Sequence, residues 1–566
     1  MDTLPETLPD LLADFPLTTS ADWRAAAERA FGDAAGPRWH FQAFPSNVYL
    51  PILGITEPPA AETPTRLDPA RCATAGWRMV QRVDHPDPVH ANGQIRADLA
   101  QGVRGFWLCF DRAARLGVDP DDPRYAEHGG AGGIMACTVD DLDRLLAGVD
   151  LAEVELCLDA GGNTAAVALA LLVLAERRGV PLDRLRGAFH HDPLGALVAD
   201  GGLASDVANA SSQMVDLAHW SVQKLGAVRS VAISTLPYHM AGAAPEHEVA
   251  WAVATGLEYF RALYRPGSGY DKDALLAELR FVFGIGREFW TSVAKLRAAR
   301  RVWAKAVHAC GGDAKARAIS IHAVTSRRSL ARRDPLLNQV RATVETIAAV
   351  LGGAEVVTTL PFDGAIGPSD DFSRRLAAHT QTILQAEAQL DRIADAAGGS
   401  GFLEALTDGI ARLAWWELQG IEGEGGMARA LLMGRVHSAT RVSGQLTCRR
   451  LRDGEAPIIG VSLHRDPDEL PLVRPAPDLA ALRAGAAARM AAHRAAHSAK
   501  AVDRAAIVLG SYADPAVGVV GPRKALAAGA SFGWSGFTGK PFVVPARIAV
   551  IEPQREEESW EAGTDG

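Results

Sequence analysis

The chain has 566 residues, 48% apolar and 22% charged, with a net charge of −9 and a pI near 6.0. Such a composition can bury a large core, and its acidic balance offers no basic footprint for nucleic acid. No apolar run approaches the roughly 18 residues of a membrane span, and residues 1–20 lack the basic start of a leader, so a cytoplasmic protein without membrane contact is expected.

In chain order, residues 1–74 read as an N-terminal arm and linker: a helical stretch ADWRAAAERAFG, then the Pro-rich PILGITEPPAAETPTRLDPA. The stretch DHPDPVHANG (84–93) nearly spells D-x-H-x-x-G, a cobalamin-ligating signature, but Asp87 and His90 are three apart instead of two. Its two prolines and Asn92-Gly93 suit a turn shaping the entry to a helix.

From residue 100 onward, short apolar runs alternate with amphipathic segments at helical period. Candidate strands are GFWLCFD (105–111), VELCLD (154–159), GAFHHD (187–192), SVAIST (230–235), LRFVFGIG (279–286), ISIHAVTS (319–326), EVVTTLP (355–361) and a weaker RIADAAGG (392–399). Helices such as TAAVALALLVLAERRG and FWTSVAKLRAARRVWAKAV lie between them. Eight such units over residues 75–432 predict a (β/α)8 TIM barrel, with a doubly wound open sheet as the alternative. Residues 433–566 are expected to form a C-terminal helical extension, including AALRAGAAARMAAHRAAHSAKAV, and an acidic tail.

In a barrel of this kind the site forms where strands end, which selects Asp111, the trio His190, His191 and Asp192, the pair Tyr238 and His239, and His322, Thr325 and Ser326. An isolated histidine in an apolar strand is commonly a hydrogen-bonded core residue. Three strand exits offering histidines toward one mouth strengthen the functional reading. Successive side chains alternate, so His190 and His191 cannot both face inward. The spacing does not call for a metal. No G-x-S-x-G, P-loop or H-E-x-x-H occurs, and EHGGAGG (127–133) reads as a flexible loop. The six cysteines form no C-x-x-C pair and are expected to be reduced thiols.

PYHMAGAAPEHEVAWAVATGLEYFRAL, GIGREFWTSVAKLRAARRVWAKAV, AVTSRRSLARRDPLLNQVRATVETIAAVLGGAEVVTTLPFD and FSRRLAAHTQTILQAEAQL together resemble the barrel domain of methylmalonyl-CoA mutases over roughly residues 75–430. VTTLPFD, the TSRRSLARRDP run and the YHMAGA spacing are closer to the small, or beta, subunit of the bacterial heterodimer. The resemblance implies an adenosylcobalamin-dependent 1,2-rearrangement of an acyl-CoA, with CoA threaded along the barrel axis and cobalamin capping the mouth. It sets Tyr238 and His239 beside the substrate thioester as the catalytic pair, with a neutral His239 imidazole donating to the carbonyl. It makes His322 line the same cavity and puts Glu387 near the adenosyl ribose, while His190, Thr325 and Ser326, selected as strand-end residues, are expected to bind substrate with His322.

The chain also departs from the catalytic pattern. Arg-Thr-His-Ser-Gln-Thr reads Ser320-Ile321-His322-Ala323-Val324-Thr325 here, so two polar ligands are replaced. Asp200 stands where an arginine would pair with the substrate carboxylate, and no tyrosine precedes Trp77 at the expected place. No D-x-H-x-x-G follows the barrel, so no flavodoxin-like cobalamin domain and no cobalt-ligating histidine are expected from this chain. The leading expectation is a non-catalytic small subunit that stabilises a catalytic large subunit, with adenosylcobalamin held in the assembled complex. The alternatives are a catalytic barrel subunit for another acyl-CoA, served by a separately encoded cobalamin-binding chain, and a free-standing CoA-thioester binder.

Overall fold

The computed structural model describes residues 76–313, 316–393, 395–499 and 515–533, together with an antiparallel pair His40–Ala43 and Val48–Pro51 and a short strand Phe542–Val543. The helical arm expected near residues 21–32 lies almost wholly outside the described residues, as do Cys72 and the acidic tail. The five described cysteines form no disulfide with one another.

Ten parallel strand segments carry the core: β1 (Arg78–Met79), β2 (Gln81–Val83), β3 (Gly105–Cys109), β4 (Glu155–Asp159), β5 (Arg186–Phe189), β6 (Ala227–Arg229), β7 (Val231–Ser234), β8 (Leu279–Ile285), β9 (Ser320–Thr325) and β10 (Val356–Thr358). They form two five-stranded sheets, β2-β3-β4-β5-β6 and β7-β8-β9-β10-β1. Val80 alone separates β1 from β2, and Ser230 alone separates β6 from β7, so the chain passes directly from one sheet to the other at both edges.

Side-chain alternation sorts these strands into two faces. One face supplies a single shared cluster that includes Val80, Trp107, Cys157, Ala188, Ala232, Val282, Val324 and Val356, drawn from both sheets. The opposite face packs under helices, with Phe106, Leu108, Leu156 and Leu158 in one cluster and Phe281, Phe283, Ile321 and Ala323 in another. Continuous apolar strands covered by helices are what a parallel sheet requires.

The helices that matter below are α1 (Pro88–Ala100), α2 (Thr164–Arg177), α3 (Leu236–Met240), α4 (Pro245–Leu263), α5 (Phe289–Ala309), α6 (Leu337–Leu351), α7 (Asp371–Ala386), α8 (Gly401–Gly423) and α9 (Arg435–Arg452). Asp87 caps α1 by accepting from Val89 N at 3.1 Å, with Pro88 in the first turn where its missing N–H costs nothing. His90, Asn92 and Gly93 therefore lie within the helix rather than at its entry. His90 stacks on His85 at 3.9 Å, and Asn92 ties α1 to the Leu145 and Ala147 carbonyls. No described helix is long and apolar enough to cross a membrane.

Two strand expectations change. The described residues of RIADAAGG form bends and turns, with Asp395 at φ 48° and its carboxylate on Arg297. The strand missing from the sequence reading is RMVQRV (78–83), whose polar residues hide its character. Gln81 Nε2 is used internally on Arg374 O at 2.9 Å, and the Arg82 guanidinium lies 4.9 Å from the centre of the Trp107 ring.

Candidate active site

Four strand exits supply the expected residues, and the structure gathers most of the histidines among them into two groups. The first lies on the shared inner face. Trp107, His190 and His322 form a triangle of rings with centroids 5.6–5.9 Å apart. His190 follows β5 and continues its alternation, since Ala188 belongs to the inner cluster and Phe189 to the outer one. His322 Nε2 bonds Thr358 Oγ1 at 2.8 Å, and Thr358 donates in turn to Val80 O at 2.8 Å. Arg280 enters from below, its Nη1 on Glu155 Oε1 at 3.3 Å.

Burial dominates the titration of this group: it pushes His190 down to about 4 and His322 well below its ordinary value, with Arg280 adding to both. Both imidazoles are neutral at pH 7. His191, buried with neither ring nitrogen bonded, is pushed down to about 3 by burial. Thr325 is tied into the scaffold, its hydroxyl accepting from Leu360 N at 2.8 Å.

The second group surrounds a cleft at the exits of β7, β8 and β9, walled on its far side by Thr447 and Leu451 of α9. His239, on α3, sits over Gly284, where any Cβ would run into the imidazole. Its Nδ1 lies 2.9 Å from Glu248 Oε1 and its Nε2 lies 2.8 Å from Ser326 Oγ. Glu248 Oε2 lies 2.8 Å from Lys295 Nζ, and Lys295 also donates to Gly284 O at 2.6 Å.

Proton positions follow from this network. Burial pushes the Glu248 carboxyl up, but Lys295 and His239 outweigh it and hold the group below the usual carboxylate range, so it is ionised. Burial lowers His239 despite Glu248, with Lys295 and Arg328 contributing, so the ring is neutral. A carboxylate cannot donate, so Nδ1 carries the hydrogen and Nε2 is a lone pair. Ser326 agrees: its oxygen accepts from Arg328 N at 3.1 Å, leaving its hydroxyl hydrogen for His239 Nε2. His239 in this chain is therefore an acceptor at Nε2, and the neutral donor that the resemblance implies would need the other tautomer.

Glu345 lies behind Ser326. Its Oε2 accepts from Ser326 N at 2.9 Å, and its buried Oε1 has no partner among the described residues. Burial pushes this carboxyl up to about 8, so it is protonated in the fold at neutral pH but ionised in the unfolded chain. A raised carboxyl stabilises fully below its ordinary pKa, and that stability is lost as pH rises toward the folded value. Glu345→Gln, which mimics the neutral form, should gain on the wild type by about 1.4 kcal/mol per pH unit between about pH 4.5 and 8, with a constant difference on either side of that window. Denaturant unfolding across that range reads it; parallel profiles would refute it.

The remaining expected residues lie elsewhere. Tyr238 is buried in the core with its ring 5.2 Å from Trp251, and it does not line the cleft beside its neighbour His239. Glu387 is the exposed C-cap of α7. Nearby Gln385 donates to Trp77 O, just ahead of β1, which puts Glu387 at the strand starts, opposite the cleft. A helix covering a parallel sheet runs back along the strands, so its C-terminus reaches their N-terminal end. Asp200 is no bare charge: Arg115 Nε holds both its oxygens at 3.0 and 2.9 Å and Arg115 Nη1 reaches Asp159 at 2.5 Å. Asp111 caps a short helix turn, accepting from Ala114 N and Gly130 N, and its carboxyl is pushed up to about 7 by burial. No cluster of three metal-ligating side chains occurs among the described residues.

Sequence reading missed Glu248, Lys295, Arg287 and Trp107, whereas Arg328 lies in SRRSLARR, an arginine cluster that the sequence marks as able to meet a small anion. The first two sit in helices whose charged positions look solvent-facing. Their burial comes from α4 and α5 packing together over β8.

The family model for methylmalonyl-CoA mutase matches residues 67–533. The chain is 37% identical over 403 residues to the methylmalonyl-CoA mutase small subunit of Streptomyces virginiae, covering 71% of this chain and 61% of that protein. It is 33% identical over 392 residues to the methylmalonyl-CoA mutase of Escherichia coli K12, covering 69% and 54%. With the Streptomyces virginiae large subunit it shares 32% over 395 residues, again 69% and 54%. It thus spans between about half and three-fifths of the length of these curated relatives. A match running through every strand of both sheets and both histidine groups leaves one conclusion: the chain belongs to the methylmalonyl-CoA mutase family.

Proposed function

We propose that this chain is a non-catalytic, small-subunit-type partner of an adenosylcobalamin-dependent acyl-CoA mutase, acting in the cytoplasm. In this reading the two sheets close as one (β/α)8 barrel over residues 75–432, preceded by an arm at 1–74 and followed by a helical extension at 433–566. The observation that carries it is the state of the inner face. Trp107, Arg280 and His322 are each 2% exposed or less, and His190 joins them, so the path along which the family threads its thioester is occupied by side chains.

The tautomer of His239 points the same way. A thioester carbonyl needs a hydrogen-bond donor as charge develops on its oxygen, and Nε2 offers a lone pair. Tyr238 does not join it in the cleft. Adenosylcobalamin supplies radical chemistry in the complex; Glu387, at the opposite end of the strands, does not fit a contact with its ribose. The split-mutase alternative would require the His239 tautomer and the interior rotamers both to change on substrate binding.

The test is reconstitution with a catalytic mutase subunit. Alone with adenosylcobalamin, the chain should form no succinyl-CoA from methylmalonyl-CoA; added to the catalytic subunit, it should co-elute with it and raise its thermal midpoint. Turnover by the chain alone would overturn the reading.

A further inference from the structure

Two arginines in the cleft are short of hydrogen-bond partners among the described residues. Arg287 follows β8 and Arg328 lies in the turn after β9, and both line the cleft beside His239 and Ser326. Arg287 is half-buried and makes no hydrogen bond with any described residue. Arg328 donates from Nη1 to His239 O at 2.9 Å, but its Nε is buried without a partner.

The carboxylates nearby offset them only in part, since Glu288, on the same wall, is shared with Arg450. Glu248 is committed to Lys295 and His239. Glu345 is protonated at neutral pH, and Glu288 is exposed at the rim. Burial lowers both guanidinium groups, and for Arg328 the largest charged contribution in the same direction is Arg287. Two desolvated like charges side by side are costly unless an anion offsets them. The hydroxyls of Thr291, Ser292 and Thr447 on the same wall already donate to Glu288 Oε2, Gly286 O and Ser443 O, so the two guanidinium groups are the donors that face the cleft.

We propose that Arg287 and Arg328 form an oxyanion-binding site in this cleft, taking the carboxylate or phosphate group of a small ligand between two guanidinium forks. The planar donor pair of arginine matches either group. A ligand held there would end against His239 and Ser326 without entering the packed inner face, so the site goes beyond the partner role and does not depend on it.

Calorimetric titration of the full chain with malonate and, separately, with inorganic phosphate, at matched ionic strength, tests the site. Saturable binding of either is expected, and which of them binds distinguishes a carboxylate from a phosphate ligand. Arg287→Gln should weaken that binding about tenfold or more. It should leave the unliganded thermal midpoint unchanged or raised, since it removes a desolvated charge that makes no hydrogen bond with any described residue. Absence of saturable binding by both anions, or wild-type affinity in Arg287→Gln, would overturn the proposal. Neither partner subunit nor cobalamin is present, so that failure would leave the proposed subunit role standing.

Discussion

Arg297→Ala should destabilise the protein by about 3–5 kcal/mol, the cost of leaving buried charges without their partner. Arg297 is wholly buried on α5, bridging Asp395 and Glu404, the latter at 2.5 Å. Glu404 also accepts from Gly399 N at 3.1 Å. One guanidinium therefore fixes the 392–399 turn and the first turn of α8 against the helix that covers β8. Removing it leaves two carboxylates, each about 10% exposed, facing one another. Urea unfolding of the single variants and of Arg297→Ala with Glu404→Ala measures the coupling. A loss under about 1 kcal/mol, as for a surface pair, would contradict this account.

Glu248→Ala is the second large effect, expected at about 3–5 kcal/mol because it strands Lys295, only 4% exposed, without its carboxylate. Lys295→Met added to Glu248→Ala should recover most of the loss, since an apolar side chain of similar length needs no counter-charge. The variant also removes the acceptor that fixes the hydrogen on His239 Nδ1. Nitrogen-15 spectra of the ring should show one neutral tautomer in the wild type and a mixture in Glu248→Ala. A wild-type ring already hydrogenated at Nε2 would sink the proton assignment. The pH profile has a definite sign: a carboxyl held below its ordinary pKa stabilises above that value, and the contribution is lost as pH falls through the lower folded pKa.

The sequence was most legible where chemistry and burial coincide. Strands such as LRFVFGI and ELCLD are buried along almost their whole length, so composition alone marks them. RMVQRV was hidden because its charged and amide side chains find partners inside the fold, while RIADAAGG borrowed the look of a strand from an isoleucine that is 67% exposed. At the site, the histidines were visible as polar residues ending apolar runs. What they do was not, because tautomer and pKa depend on Glu248 and Lys295, which arrive from α4 and α5. The placement of Glu387 failed for a related reason: distance along the chain from β10 does not say at which end of the strands a helix terminates.

The most direct test of the central claim is equilibrium binding of methylmalonyl-CoA to the purified chain alone. A closed inner face predicts no saturable heat and no gain in thermal midpoint beyond those that malonate or inorganic phosphate produce at the Arg287 and Arg328 cleft. Stoichiometric methylmalonyl-CoA binding that persists in Arg287→Gln would place the thioester inside the strands and contradict the account.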